Sequence, residues 1–208
     1  MENINIITRK NGMTYSVRTN RDRFFYPGEW GMFYDKLNKK QTFTFNFLIN
    51  TGARINEARN VRVEDIDLER NRMILRVTKI KAKKGEKHPR PRTIPMSSQF
   101  SKYLKKYIRN KNLKGSDYLG ILSTPAANIG MKKALERAGI KDYYMFSVHN
   151  VRKTLETWLM ALGIDGLRIT AHIGHSMAVA AGNYISADVL SWEEKKQIRM
   201  FIGDLYER

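Results

Sequence analysis

The 208-residue chain predicts a mainly α fold with a small antiparallel β-sheet, an α+β domain, and three observations carry that expectation. Apolar residues recur at helical spacing through most of the chain. Capping residues and closing glycines bracket those stretches. One run of branched residues, answered at a distance by a second, reads as a hairpin. The length suits one principal domain with its own hydrophobic core.

Residues 1–24 are expected to form a basic N-terminal arm or linker, in which the alternation of Met13-Thr14-Tyr15-Ser16-Val17 reads as a short strand or extended segment. From residue 25 to 208 the pattern is that of the main domain. Pro27 suits a first helical position, and Trp30, Phe33, Tyr34 and Leu37 share one face behind it. Phe43, Phe47 and Leu48 continue in a second helix that ends near Thr51-Gly52, and a short helical segment, Ile55 to Arg59, follows the break. Arg72 to Lys81 reads as a strand and Arg92-Thr93-Ile94-Pro95 as its antiparallel return, a basic hairpin with a long Lys- and Gly-containing turn. Ser97 caps a helix bearing Phe100, Tyr103, Leu104, Tyr107 and Ile108; Thr124-Pro125 opens another that stops at Ala138-Gly139. Ser147 to Leu162 is the next, closed by Gly163. Shorter helices are expected around Asp165 to Ile173 and Ala178 to Tyr184, and a last one from Ser191 to about Leu205.

Composition narrows the partner. Lys plus Arg number 38 against 20 Asp plus Glu, a net charge of +18, which calls for a polyanion, and nucleic acid is the first candidate. Charge sets the partner class and leaves the chemistry open. No cysteine is present, so a disulfide scaffold and a thiolate metal site are both excluded. Apolar runs such as Phe43 to Ile49 fall far short of the roughly 20 residues that span a bilayer, and Met1-Glu2-Asn3 does not open a signal peptide. A soluble, cytoplasmic protein is expected.

Three blocks carry chemistry. Thr51-Gly52-Ala53-Arg54 places an arginine just after a helix-ending glycine, with Glu57 three residues on to orient it; taken alone, that pair is an ordinary surface ion pair. His149-Asn150-Val151-Arg152 puts a histidine and an arginine at i and i+3 on a helix start, beside N–H groups that favour an anion. Ile173-Gly174-His175-Ser176 follows, and Tyr184 stands nine residues after His175.

In these three blocks, in this order, the sequence resembles the catalytic domain of the tyrosine recombinases, the family of phage-type integrases, archaeal and viral ones among them, and chromosome-dimer resolvases. The resemblance covers roughly residues 25 to 200. It implies the tyrosine recombinase catalytic-domain fold and a site-specific recombinase or integrase working through a 3′-phosphotyrosyl intermediate on double-stranded DNA, as a homo-oligomer, a tetramer, with neither cofactor nor metal. By the same resemblance Arg54 and Arg152 clamp the scissile phosphate, His149 and His175 fill the two histidine positions, and Tyr184 is the nucleophile. It also implies a lysine on the hairpin, near the end of its first strand. Counting from Met73 favours Lys81, although Lys79 and Lys83 share its parity and alternation does not separate the three. Members of the family carry a separate DNA-clamping domain ahead of the catalytic one, and the two dozen residues before Pro27 are too few to form it.

Elementary chemistry agrees. Attack on a phosphodiester builds charge on the nonbridging oxygens, which planar guanidiniums match in shape and neutralise at any working pH. A phenol of pKa near 10 is only about 0.1% ionised at neutral pH, so Tyr184 needs a base, for which His149 is the candidate. The 5′ oxygen needs a proton to leave, and Lys81 is the candidate acid. Bland roles fall to His88 in the charged turn, to His172 as a core or loop histidine, and to Tyr103, Tyr107, Trp158 and Leu159 as core. Two other functions fit the same residues: a type IB topoisomerase-like enzyme that relaxes DNA, and a noncatalytic DNA-binding module.

Overall fold

The computed structural model describes residues 5–8, 14–17, 23–76, 91–174 and 190–207, the first two stretches as backbone. Strands β1 (Asn5–Thr8) and β2 (Thr14–Val17) pair antiparallel, so the expected segment at 13–17 is a strand with a partner that its own alternation did not reveal. Arg23 to Tyr26 then run extended into the core. Phe25 N–H donates to Thr154 Oγ1 at 2.9 Å, Phe25 carbonyl accepts from Trp158 Nε1 at 2.9 Å, and Phe24 and Phe25 are fully buried.

Helix α1 (Pro27–Tyr34) starts on its proline and buries Trp30 and Phe33. Asn38 caps α2 (Lys39–Thr51) by accepting from the Lys40 and Gln41 amides; Gly52, with φ +58°, turns the chain out of it. A short α3 (Ile55–Arg59) and a 3-10 turn (Val63–Asp65) lead to the sheet. There β3 (Ile66–Asp67), β4 (Arg72–Leu75) and β5 (Arg92–Pro95) lie antiparallel in that order. The described part of the first hairpin strand is thus four residues long, and the hairpin gains a third strand too short to leave a period in the sequence. Register sets Met73 opposite Ile94 and Leu75 opposite Arg92, with Met73, Leu75 and Ile94 buried.

Helices α4 (Ser98–Asn110) and α5 (Thr124–Arg137) are capped by Ser97 and Ser123. Helix α6 (Val148–Ala161) is the central one, packed against α2, α5, α7 (Gly166–Ile173) and α8 (Trp192–Ile202). Almost every residue of α6 is buried, which is what a helix covered on several sides requires. Phe201 of α8 stacks on Trp158 of α6, and Ile198, Ile202 and Leu205 are buried, so the last helix packs its apolar stripe on its own domain. No helix among the described residues is long and apolar enough to cross a membrane. The helix expected at Ala178 to Tyr184 lies outside the described residues.

Candidate active site

One glycine turn, one helix and one strand bring the described candidate residues together. Gly52 ends α2 in the left-handed region; a Cβ there would stand 2.6 Å from Ile173 Cδ1 and 3.0 Å from Leu155 Cδ2, so only glycine lets the turn lie this close to α6 and α7. Two residues on, Arg54 sits at the start of α3. Its amide donates to Glu57 Oε2 at 3.0 Å and its Nη1 to Glu57 Oε1 at 2.8 Å. The expected orienting carboxylate is therefore present, and it differs from a surface pair in one respect: the Glu57 side chain is 0% exposed and that of Arg54 28%.

Glu57 has a second cation. Arg92 of β5 donates from Nη2 to Glu57 Oε2 at 2.9 Å and from Nε to the His172 carbonyl at 3.1 Å. Burial by itself would raise the Glu57 carboxyl, but the hydrogen bond and charge of Arg92, with the bonds from Arg54, outweigh it and hold the group below the usual carboxylate range.

Arg152, on the second turn of α6, is 5% exposed and donates from Nη1 to the Gly52 carbonyl at 2.8 Å. Among the described residues its buried Nη2 has no hydrogen-bond partner, and neither has Nη1 of Arg92. Burial first, then repulsion from Arg54 and Arg92, pushes the Arg152 guanidinium down to about 9, so it keeps its charge at neutral pH. Arg54, Arg92 and Arg152 face two carboxylates, Glu57 and Glu156, which leaves one positive charge in excess in this partly desolvated cluster. That surplus favours an anion whose charge grows during reaction.

His149 lies in the first turn of α6, one turn before Arg152, and is solvent-exposed. His172 is buried in α7. Its Nε2 meets the Thr51 carbonyl at 3.1 Å and its Nδ1 the Tyr206 hydroxyl at 3.0 Å. Burial, then the charge of Arg92, lowers its pKa to about 3, so the ring is neutral, Nε2–H donates to Thr51 and Nδ1 accepts from Tyr206. Of the core and loop placements expected for His172 the structure shows the core one, and the ring ties the end of α2 to the C-terminal turn.

Arg54, Arg152 and Glu57 are thus brought into one cluster, with His149 a turn away on α6. His175, Tyr184 and the lysines Lys79, Lys81 and Lys83 lie outside the described residues. Arg92 and His172 were not singled out as site residues in the sequence. For Arg92 a signal existed: it shares strand parity with the buried Ile94, and a charged residue on the inward side of a strand needs a buried partner. Among the described residues no group of three acidic, histidine or cysteine side chains is arranged to hold a metal ion.

The same fold is found in recombinases. A crystal structure of XerA recombinase superposes with a TM-score of 0.62 at 20% identity, covering 86% of this chain and 62% of that one. The Tn1549 transposon integrase, solved in complex with transposon right end DNA, gives 0.61 at 19% identity, covering 86% and 65%. In sequence, the tyrosine recombinase XerA of Thermococcus onnurineus (strain NA1) is 25% identical over 179 residues, 82% of this chain and 59% of the relative. Residues 32–189 match the model of the phage integrase family, and the chain belongs to that family. It spans about three fifths of the length of the relatives just named.

Proposed function

We propose that the chain is the catalytic domain, residues 25–208 behind a basic arm of residues 1–24, of a site-specific recombinase or integrase that cuts and rejoins double-stranded DNA through a 3′-phosphotyrosine. The observation that carries this reading is the half-buried cluster of Arg54, Arg92 and Arg152 around the buried Glu57, with guanidinium nitrogens unpartnered among the described residues and an excess of positive charge. Arg54 and Arg152 bind the nonbridging oxygens of the scissile phosphate and stabilise the charge that grows there. Tyr184 attacks phosphorus; its proton passes to His149, and the P–O bond to the 5′ oxygen breaks as that oxygen takes a proton from Lys81. His175 adds a donor to the phosphate. Rejoining reverses the steps with a new 5′ hydroxyl as nucleophile, and the ester preserves the bond energy. The active species is a homotetramer on DNA, working in the cytoplasm.

The test is a duplex nicked close to the cut site, from which the short 5′-hydroxyl fragment diffuses away after cleavage and traps the intermediate. A denaturing gel should show a protein–DNA adduct with the unaltered chain and none with Tyr184→Phe, which keeps DNA affinity because only a hydroxyl is lost. An adduct persisting in Tyr184→Phe would assign another nucleophile and refute the reading.

A further inference from the structure

Arg92 stands where three separate segments meet. It opens β5, on the side of the strand that Ile94 buries, and its side chain is 12% exposed. Nη2 holds Glu57, and Glu57 in turn holds both the amide and the guanidinium of Arg54. Nε holds the carbonyl of His172, one of the last carbonyls of α7, which has no partner within its own helix, and a cation there also faces the negative end of the helix dipole. The Arg92 side chain passes close to Gly174, where a Cβ would come within 3.0 Å of Cδ and Nε and 3.1 Å of Cζ, at a φ of +78° that itself favours glycine. The next residue is His175.

We infer that Arg92 is a positioning residue of the site: it locks the Glu57–Arg54 turn to the end of α7, and so fixes Arg54 relative to the segment that leads into His175. This rests on the proposed recombinase reading. Two acceptors on different segments, held by two nitrogens of one planar group, define a relative position as well as a distance. Without Arg92, Glu57 keeps only Arg54 as a hydrogen-bonding cation, and nothing else among the described contacts joins α3 to the His172 carbonyl. A lysine carries the charge but does not bridge both acceptors in a plane.

The experiment uses the full 208-residue chain and the nicked duplex under single-turnover conditions. Arg92→Ala is expected to slow adduct formation about 100-fold while DNA affinity stays within about threefold, because alignment and not binding is lost. Methylguanidinium added at millimolar concentration should enter the vacated slot and restore the rate at least about tenfold, saturably, which a general loosening of the fold would not allow. Arg92→Lys should be folded and about tenfold slow, and it carries the test should Arg92→Ala not fold. Rates within about threefold of the unaltered chain in both variants would overturn the inference, as would loss without rescue by methylguanidinium. A drop in DNA affinity of more than about tenfold would place Arg92 on the phosphate itself and overturn it too. Failure of the unaltered chain to form an adduct would instead sink the recombinase reading and is seen independently of Arg92.

Discussion

Arg152 holds a charge where water hardly reaches it, beside two other guanidiniums, with one nitrogen unpartnered among the described residues. Such a group lowers the stability of the free protein and gains it back when an anion arrives. Arg152→Met should therefore leave the melting temperature of the DNA-free protein within about 3 °C of the unaltered chain, or above it, while adduct formation falls roughly 100- to 1000-fold. Sulfate should raise the melting temperature of the unaltered chain more than that of the variant; equal responses would mean that Arg152 does not face the anion site. His172 makes the opposite kind of contribution. Its folded-state pKa of about 3 lies below the ordinary 6.5, so the unfolded chain binds a proton at that ring between those values and the folded chain does not. The stabilisation is complete above about pH 6.5 and falls by about 1.4 kcal/mol per pH unit as the solution is acidified toward 3. Denaturation at pH 7 and pH 5 should show the gap between the unaltered chain and His172→Gln shrinking by about 2 kcal/mol; a constant gap would mean that the ring takes up its proton as readily in the fold as in the unfolded chain.

At the scale of the element, the site depends on how helices end. Gly52 closes α2, presents its carbonyl to Arg152 and leads directly to Arg54, all within a turn that a side chain would push off Ile173 and Leu155. Gly52→Ala should cost about 1–3 kcal/mol by denaturation and reduce adduct formation more than DNA affinity, since the turn positions Arg54. Activity and affinity falling in parallel would assign Gly52 to the fold alone. Some of these helix ends were legible beforehand because caps and glycines act on their neighbours: Ser97 and Ser191 cap the helices that follow and Gly52 closes α2, whereas the caps Asn38 and Ser123 and the stop at Gly174 emerge only in the structure. The Glu57–Arg54 pair, three residues apart, was legible for the same reason. The hairpin pairing of β4 with β5 was legible too, but the side-chain contacts between distant segments were not. A sequence separation of 35 between Glu57 and Arg92 leaves no period, and neither does one of 121 between Thr51 and His172. Strand β3 is only two residues long and reveals itself through its pairing with β4, not through alternation of its own.

For the molecule as a whole, the balance of +18 is far more than the arginine cluster uses, and it decides how a DNA partner would be held. Much of the excess sits on solvent-facing positions of the domain, such as Lys102, Lys105 and Lys106 on α4 and Lys132 and Lys133 on α5, where no site is built around them. Cations of that kind read no sequence; each one placed on a phosphate releases condensed counterions, and the affinity then falls as a power of the salt concentration. If even five phosphates are engaged, the slope of log K against log salt should be about −4 or steeper, and Kd should rise roughly 250-fold between 50 and 200 mM salt. Fluorescence anisotropy with a labelled duplex across that range measures the slope directly. Chemistry by the guanidinium cluster calls for no divalent ion, so adduct formation on the nicked duplex, measured at one fixed salt concentration, should be unchanged by EDTA. A slope near zero would mean that the basic surface serves something other than DNA. Cleavage abolished by EDTA and restored by magnesium would replace the phosphotyrosine route with a metal-dependent nuclease, in which Tyr184 has no part.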